Sequence, residues 1–121
     1  MDNAARSTPA DPLILLRDEL RRFAADRDWD QFHSPKNLAS ALAVEAAELL
    51  EPFQWLTEEQ SRHLTAEQSA AVREEVADVL LYLIRLADKL DIDLVAAARD
   101  KIVRNAVRYP KKYTDLPPCS N

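Results

Sequence analysis

Two pairs of acids, Glu45-Ala-Ala-Glu48 and Glu75-Val-Ala-Asp78, have the types and spacing that could do chemistry. Each pair is spaced i, i+3. On a helix this makes the two side chains neighbours, with Cβ atoms roughly 5–6 Å apart. Like charges that close destabilise a helix unless something offsets them. A divalent cation would do so, and helical bundles build such sites from facing helices. An all-oxygen ligand set favours hard cations, Mg²⁺ first and Mn²⁺ as a substitute. Such a site suits phosphate chemistry. The plain alternative is a solvated acidic helix face. A di-iron centre is disfavoured because no Glu has a His three residues later; Asp30-Gln-Phe-His33 has the spacing but not the Glu. Zinc is disfavoured because His33 and His63 are far apart and no cysteine lies near them.

The elements that must hold these acids read as helices. Asp11-Pro12 looks like an N-cap followed by Pro at the first helical position, and Leu13, Leu16, Leu20 and Phe23 carry that helix to about Asp26. Residues 28–33 break the pattern and read as a loop. Ser34-Pro35 repeats the start signal. The second helix runs from about Pro35 to Trp55 on a stripe of Leu38, Leu42, Ala46, Leu49 and Phe53, with Glu45 and Glu48 at its edge. Pro52 should kink or end it early. Residues 57–65 read as a polar linker, and Thr65-Ala-Glu-Gln68 as a capping box.

The third helix spans about Ala66 to Leu90. Glu75 borders its stripe of Val72, Val76, Val79 and Leu83, and Tyr82 lies in angle between Glu75 and Asp78. From Val76 to Ala87 only Asp78 and Arg85 are charged, so this helix is expected to be buried on several sides, including against a second copy. Asp93 caps a fourth helix that ends near Arg108, before Tyr109-Pro110. No strand pattern or repeat appears. The expectation is an all-α, four-helix, oligomeric bundle over residues 11–110, with a disordered arm at 1–10 and an extended tail at 111–121.

Composition narrows the function. A net charge of −5 gives no footprint for nucleic acid. Glycine is absent, which excludes the phosphate-cradling and dinucleotide loops that need it. Bound phosphates would need a metal and side chains. One cysteine, Cys119, cannot form an internal disulfide, and no signal peptide or long apolar span is visible. A cytoplasmic chain with no membrane partner is expected.

The pattern E-x-x-E, then 26 residues, then E-x-x-D resembles the all-α nucleoside triphosphate pyrophosphatase superfamily, MazG-like, which includes the dimeric dUTPases. Arg27-Asp-Trp-Asp-Gln-Phe-His33, Pro35-Lys-Asn-Leu38 and Phe53-Gln-Trp55 look like the N-terminal half of its dCTP pyrophosphatase branch. Lys101-Ile-Val-Arg-Asn105, Arg108-Tyr-Pro110 and Lys112-Tyr-Thr-Asp-Leu-Pro117 look like the C-terminal half. The resemblance implies hydrolysis of a triphosphate to monophosphate and pyrophosphate with Mg²⁺ held by Glu45, Glu48, Glu75 and Asp78. Glu48 or Glu75 would also orient or deprotonate the attacking water. Lys101, Asn105, Arg108 and Tyr109 would bind phosphates, and Tyr82 would lie near the sugar and metal, a core tyrosine being the alternative. Trp29 and Trp55 would enclose the base. His33 and Asn37 would add hydrogen bonds, although His33 could instead cap the second helix.

Two departures from that branch stand out: Ala46 and Ala47 fill the first acidic pair, where Gly is common, and Pro52 replaces an ordinary helix former. The resemblance implies dCTP and C5-modified dCTP as substrates, nucleotide-pool cleansing as the role, and a homotetramer built as a dimer of dimers. The rivals are the same fold acting on dUTP or other non-standard triphosphates, and a non-enzymatic helical interaction module.

Overall fold

A computed structural model describes residues 11–112. The expected arm at 1–10, and the part of the tail from 113 onward with Cys119, lie outside the described residues. The elements are α1 (Pro12–Asp26), a 3₁₀ turn (Trp29–Phe32), α2 (Pro35–Leu50), α3 (Glu58–Arg62), α4 (Ala66–Lys89) and α5 (Leu94–Arg108). No strand occurs among the described residues, so the all-α reading holds, with one more short helix than the sequence suggested.

The starts follow from local chemistry. Asp11 accepts from the Leu13 amide at 2.9 Å, and Ser34 from the Asn37 amide at 3.1 Å, each with Pro at the first helical position. The Thr65–Gln68 box closes in both directions at 3.1 and 2.9 Å. Thr57 and Gln60 form a second such box, which turns the expected linker into α3. Pro52 ends α2 at Leu50, short of Trp55. It has no amide for the Glu48 carbonyl, which accepts from Glu51 instead. Asp28 and Asp91 take left-handed conformations, both with φ of 56°. In a chain without glycine, Asp is among the residues that tolerate this region best.

The helix α4 is the spine. It packs most extensively on α2 and also on α1, and α1 rests on the 3₁₀ turn. The fully enclosed apolar core is small: Ala24, Leu38, Ile84 and Ala87. The expected burial of α4 on several sides is therefore not met within one chain. Val76, Leu80 and Leu83 are exposed, because α1 and α2 leave those sides uncovered. The last helix, α5, packs extensively on none of the others, and its Ile102, Val103 and Val107 face outward, Val107 at 81% exposure.

Candidate metal site and aromatic pocket

The packing of α2 on α4 brings Glu45, Glu48 and Glu75 together. One oxygen from each lies within 4.8 Å of the others, and all three side chains are half-buried. An oxygen of Glu45 and one of Glu75 are sealed from solvent with no hydrogen-bond partner. Burying polar atoms unpaired is costly, so the cluster has an electrostatic deficit. Burial raises the Glu45 carboxyl above its ordinary range, helped by its hydrogen bond to Glu48 and by the charges of Glu48, Asp78 and Glu75. Burial likewise raises Glu75, with the charges of Glu48 and Asp78 next. The ion pairs among the described residues involve none of these acids. Orphaned oxygens, mutual repulsion and an all-oxygen donor set fit a hard divalent cation.

Asp78 stands outside that three-oxygen set. It lines a neighbouring cavity of about 420 Å³ together with Leu20, Phe23, Ala24, Trp29, Phe32, His33, Leu81, Tyr82 and Arg85. The acids and the cavity are thus joined through one carboxylate. Phe23 meets Trp29 edge to face, with ring centroids 5.3 Å apart and planes at 67°. The His33 ring lies 6.1 Å from Trp29. A cavity of this size, aromatic on one wall and acidic at one end, has the chemistry to stack a planar ring and place charged groups near the cluster.

Arg85 also lines the cavity and is only 5% exposed. Its Nη2 donates to Asp30 at 2.6 Å and its Nε to His33 Nδ1 at 3.3 Å. Lys89 also donates to Asp30 at 3.0 Å. These partners hold the Asp30 carboxyl below its ordinary range, Lys89 more strongly than Arg85. Burial, with the Arg85 charge behind it, lowers His33 and so favours the neutral ring. The cap of α2 is Ser34, not His33. The assignment of candidate site residues from sequence missed Arg85 and Asp30. The available signal was that Arg85 is one of two charges in an otherwise apolar run.

Other expected contacts are absent from the single chain. Asn37 donates to the Phe32 carbonyl at 3.0 Å and does not line the cavity. Trp55, 86% exposed, also lies off it. Lys101, Asn105 and Arg108 sit on α5, with Tyr109 just past its end, and none of the four lines the cavity. Arg108 packs over the Tyr109 ring instead, 5.4 Å from its centroid.

A family model described as the MazG-like family matches residues 41–116, a span that holds all four acids. The chain is 43% identical over 122 residues to a protein of Mus musculus named dCTP pyrophosphatase 1, a match covering 93% of this chain and 72% of that one. The Homo sapiens protein of the same name is 42% identical over 120 residues, covering 91% and 71%. A crystallographically solved pyrophosphatase from Archaeoglobus fulgidus superposes with a TM-score of 0.80 at 38% identity, covering 87% of this chain and 98% of that one. The chain belongs to the MazG-like family, and its enzyme class is pyrophosphohydrolase.

Proposed function

We propose that this chain is a Mg²⁺-dependent nucleoside triphosphate pyrophosphatase that hydrolyses dCTP, and C5-modified dCTP, to the monophosphate and pyrophosphate. One observation carries the reading: a cluster of three carboxylates with two orphaned oxygens opens through Asp78 onto an aromatic cavity. The names of the mouse and human relatives supply the base.

Glu45, Glu48, Glu75 and Asp78 would hold the cation, which when bound offsets charge on the phosphate oxygens. Glu48 or Glu75 orients the attacking water towards the α-phosphorus and accepts its proton. Burial raises the affinity of Glu75 for a proton, which suits that task once the cluster is neutralised. Trp29 and Tyr82 stack and enclose the base and sugar, which fixes the triphosphate over the acids, and most of the rate gain in such a reaction is positioning. The remaining cations of the site, Lys101 and Arg108 with Asn105 and Tyr109, come from α5 of another copy. The isolation of α5 in the single chain and the uncovered apolar sides of α4 support this reading. A homotetramer, a dimer of dimers, would cover both surfaces. Trp55 and Asn37 take their base-side roles in that assembly. The role is cleansing of the cytoplasmic nucleotide pool.

A panel of nucleoside triphosphates assayed for pyrophosphate release tests the substrate. Preference for dCTP and 5-methyl-dCTP is expected. A clear preference for dUTP would overturn the base assignment while leaving the fold and reaction type in place.

A further inference from the structure

The groups around His33 fix which of its two nitrogens carries the proton. An arginine has five N–H donors and no acceptor. Arg85 meets His33 Nδ1 with two of its nitrogens, Nε at 3.3 Å and Nη2 at 3.2 Å. A ring nitrogen facing only donors must offer its lone pair, so in the neutral ring the proton lies on Nε2. His33 lines the cavity beside Trp29, and no hydrogen bond to its Nε2 occurs among the described residues. Arg85 is itself held in place: Asp30 takes its Nη2 at 2.6 Å from the 3₁₀ turn that also carries Trp29.

We propose that Arg85 is a positioning residue, which with Asp30 clamps His33 as a neutral ring protonated on Nε2 and so presents a hydrogen-bond donor to the base in the aromatic cavity. The proposal rests on the nucleotide reading above and deepens it. A donor there selects bases with an acceptor on the facing edge, such as a pyrimidine carbonyl oxygen or unprotonated ring nitrogen. It also explains a buried cation in the pocket of an enzyme for anions that is not aimed at phosphate. The guanidinium is occupied by Asp30 and His33, and Asp30 is shared with Lys89. The same clamp ties the Trp29 turn to α4, so the stacking ring and the donor are set by one residue.

The test is ¹⁵N NMR of the imidazole rings in the full chain without nucleotide, in a His63→Gln background that leaves His33 as the one histidine signal. At about pH 7.5, where an ordinary histidine is neutral, wild-type Arg85 should give a single tautomer with Nε2 protonated. Arg85→Met leaves Asp30 its bond to Lys89 and should release a substantial Nδ1-protonated population. Loss of one well-placed donor should raise KM for dCTP about five- to tenfold with kcat nearly unchanged. An Nδ1-protonated or charged ring in the wild type overturns the proposal without any variant. So does a folded Arg85→Met chain with an unchanged tautomer or an unchanged KM. A wild-type chain inert towards dCTP overturns the nucleotide reading and the donor's role, whereas the tautomer on the free protein stands or falls separately.

Discussion

Glu45 and Glu75, from different helices, each turn an oxygen with neither solvent nor a donor into the seam between α2 and α4. Without a cation, that pairing would be a destabilising element. A cation held by these acids would bind only the folded chain, so millimolar Mg²⁺ should raise the melting temperature, and a hundredfold excess over Kd corresponds to about 2.7 kcal/mol. Melts with and without nucleotide check this. An unchanged melting temperature in both would rule out the cluster as a cation site.

The pH dependence of the metal-free chain has a defined sign. Glu45 and Glu75 are raised from 4.5 by burial, so the folded chain holds those protons more tightly than the unfolded one. Their stabilising contribution is complete below about pH 4.5 and is lost as pH rises through the raised values. His33 runs the other way: lowered from 6.5 by burial, it costs stability as pH falls below that value. Asp30 and Asp88, lowered from 3.8 by their cationic partners, contribute stability that is lost only at still lower pH. Glu75→Gln isolates the carboxylate effect. In a chelator it should melt higher than wild type at about pH 7, with the gain shrinking towards about pH 4.5. An equal gain at both pH values would contradict the repulsion argument.

Much of this was legible in the sequence because it is local. Caps, proline stops and acid spacing act within a turn or two, so Ser34, Pro52 and Thr65–Gln68 behave as written. The Thr57–Gln60 box used the same grammar and could have been read, but its helix is one turn and a half and carries no apolar stripe to announce it. Arg85 was harder. Its partners, Asp30 and His33, lie 55 and 52 residues away, and only tertiary packing reveals them. The basic face of α5 was legible as a face, but one chain does not bring it to the acids.

The enclosed core is small, so each member matters. Leu38, at 1% exposure, is the largest fully buried side chain among the described residues. Leu38→Ala should destabilise the chain by about 2–5 kcal/mol through lost burial and the cavity left behind. Because Leu38 lies off the aromatic cavity, KM of the fraction that remains folded should stay near the wild-type value. Denaturant melts and steady-state kinetics below the transition separate the two effects.

Trp29→Ala removes the stacking face that Phe23 holds edge-on. Base stacking on an aromatic is worth about 1–3 kcal/mol, so KM for dCTP should rise roughly five- to a hundredfold. Binding of inorganic pyrophosphate, which has no base, should change little. Calorimetric titration of both ligands distinguishes a lost stacking ring from a collapsed site, since collapse would weaken both together.

The helix α5 supplies the last prediction. It presents Ile102, Val103 and Val107 on the outside together with Lys101 and Arg108, and among the described residues no other helix packs extensively on it. Grouped exposed apolar side chains of this kind suit a contact with another copy, as proposed above. Val107→Asp places a charge in that contact and should shift the mass in solution from tetramer towards smaller species, measured by light scattering. Helix content should persist, because Val107 touches little of its own chain. If the phosphate-binding cations come from a neighbouring copy, activity should fall with the assembly and recover as protein concentration is raised. A variant that becomes monomeric yet keeps full activity at high dilution would show that α5 serves its own acids instead.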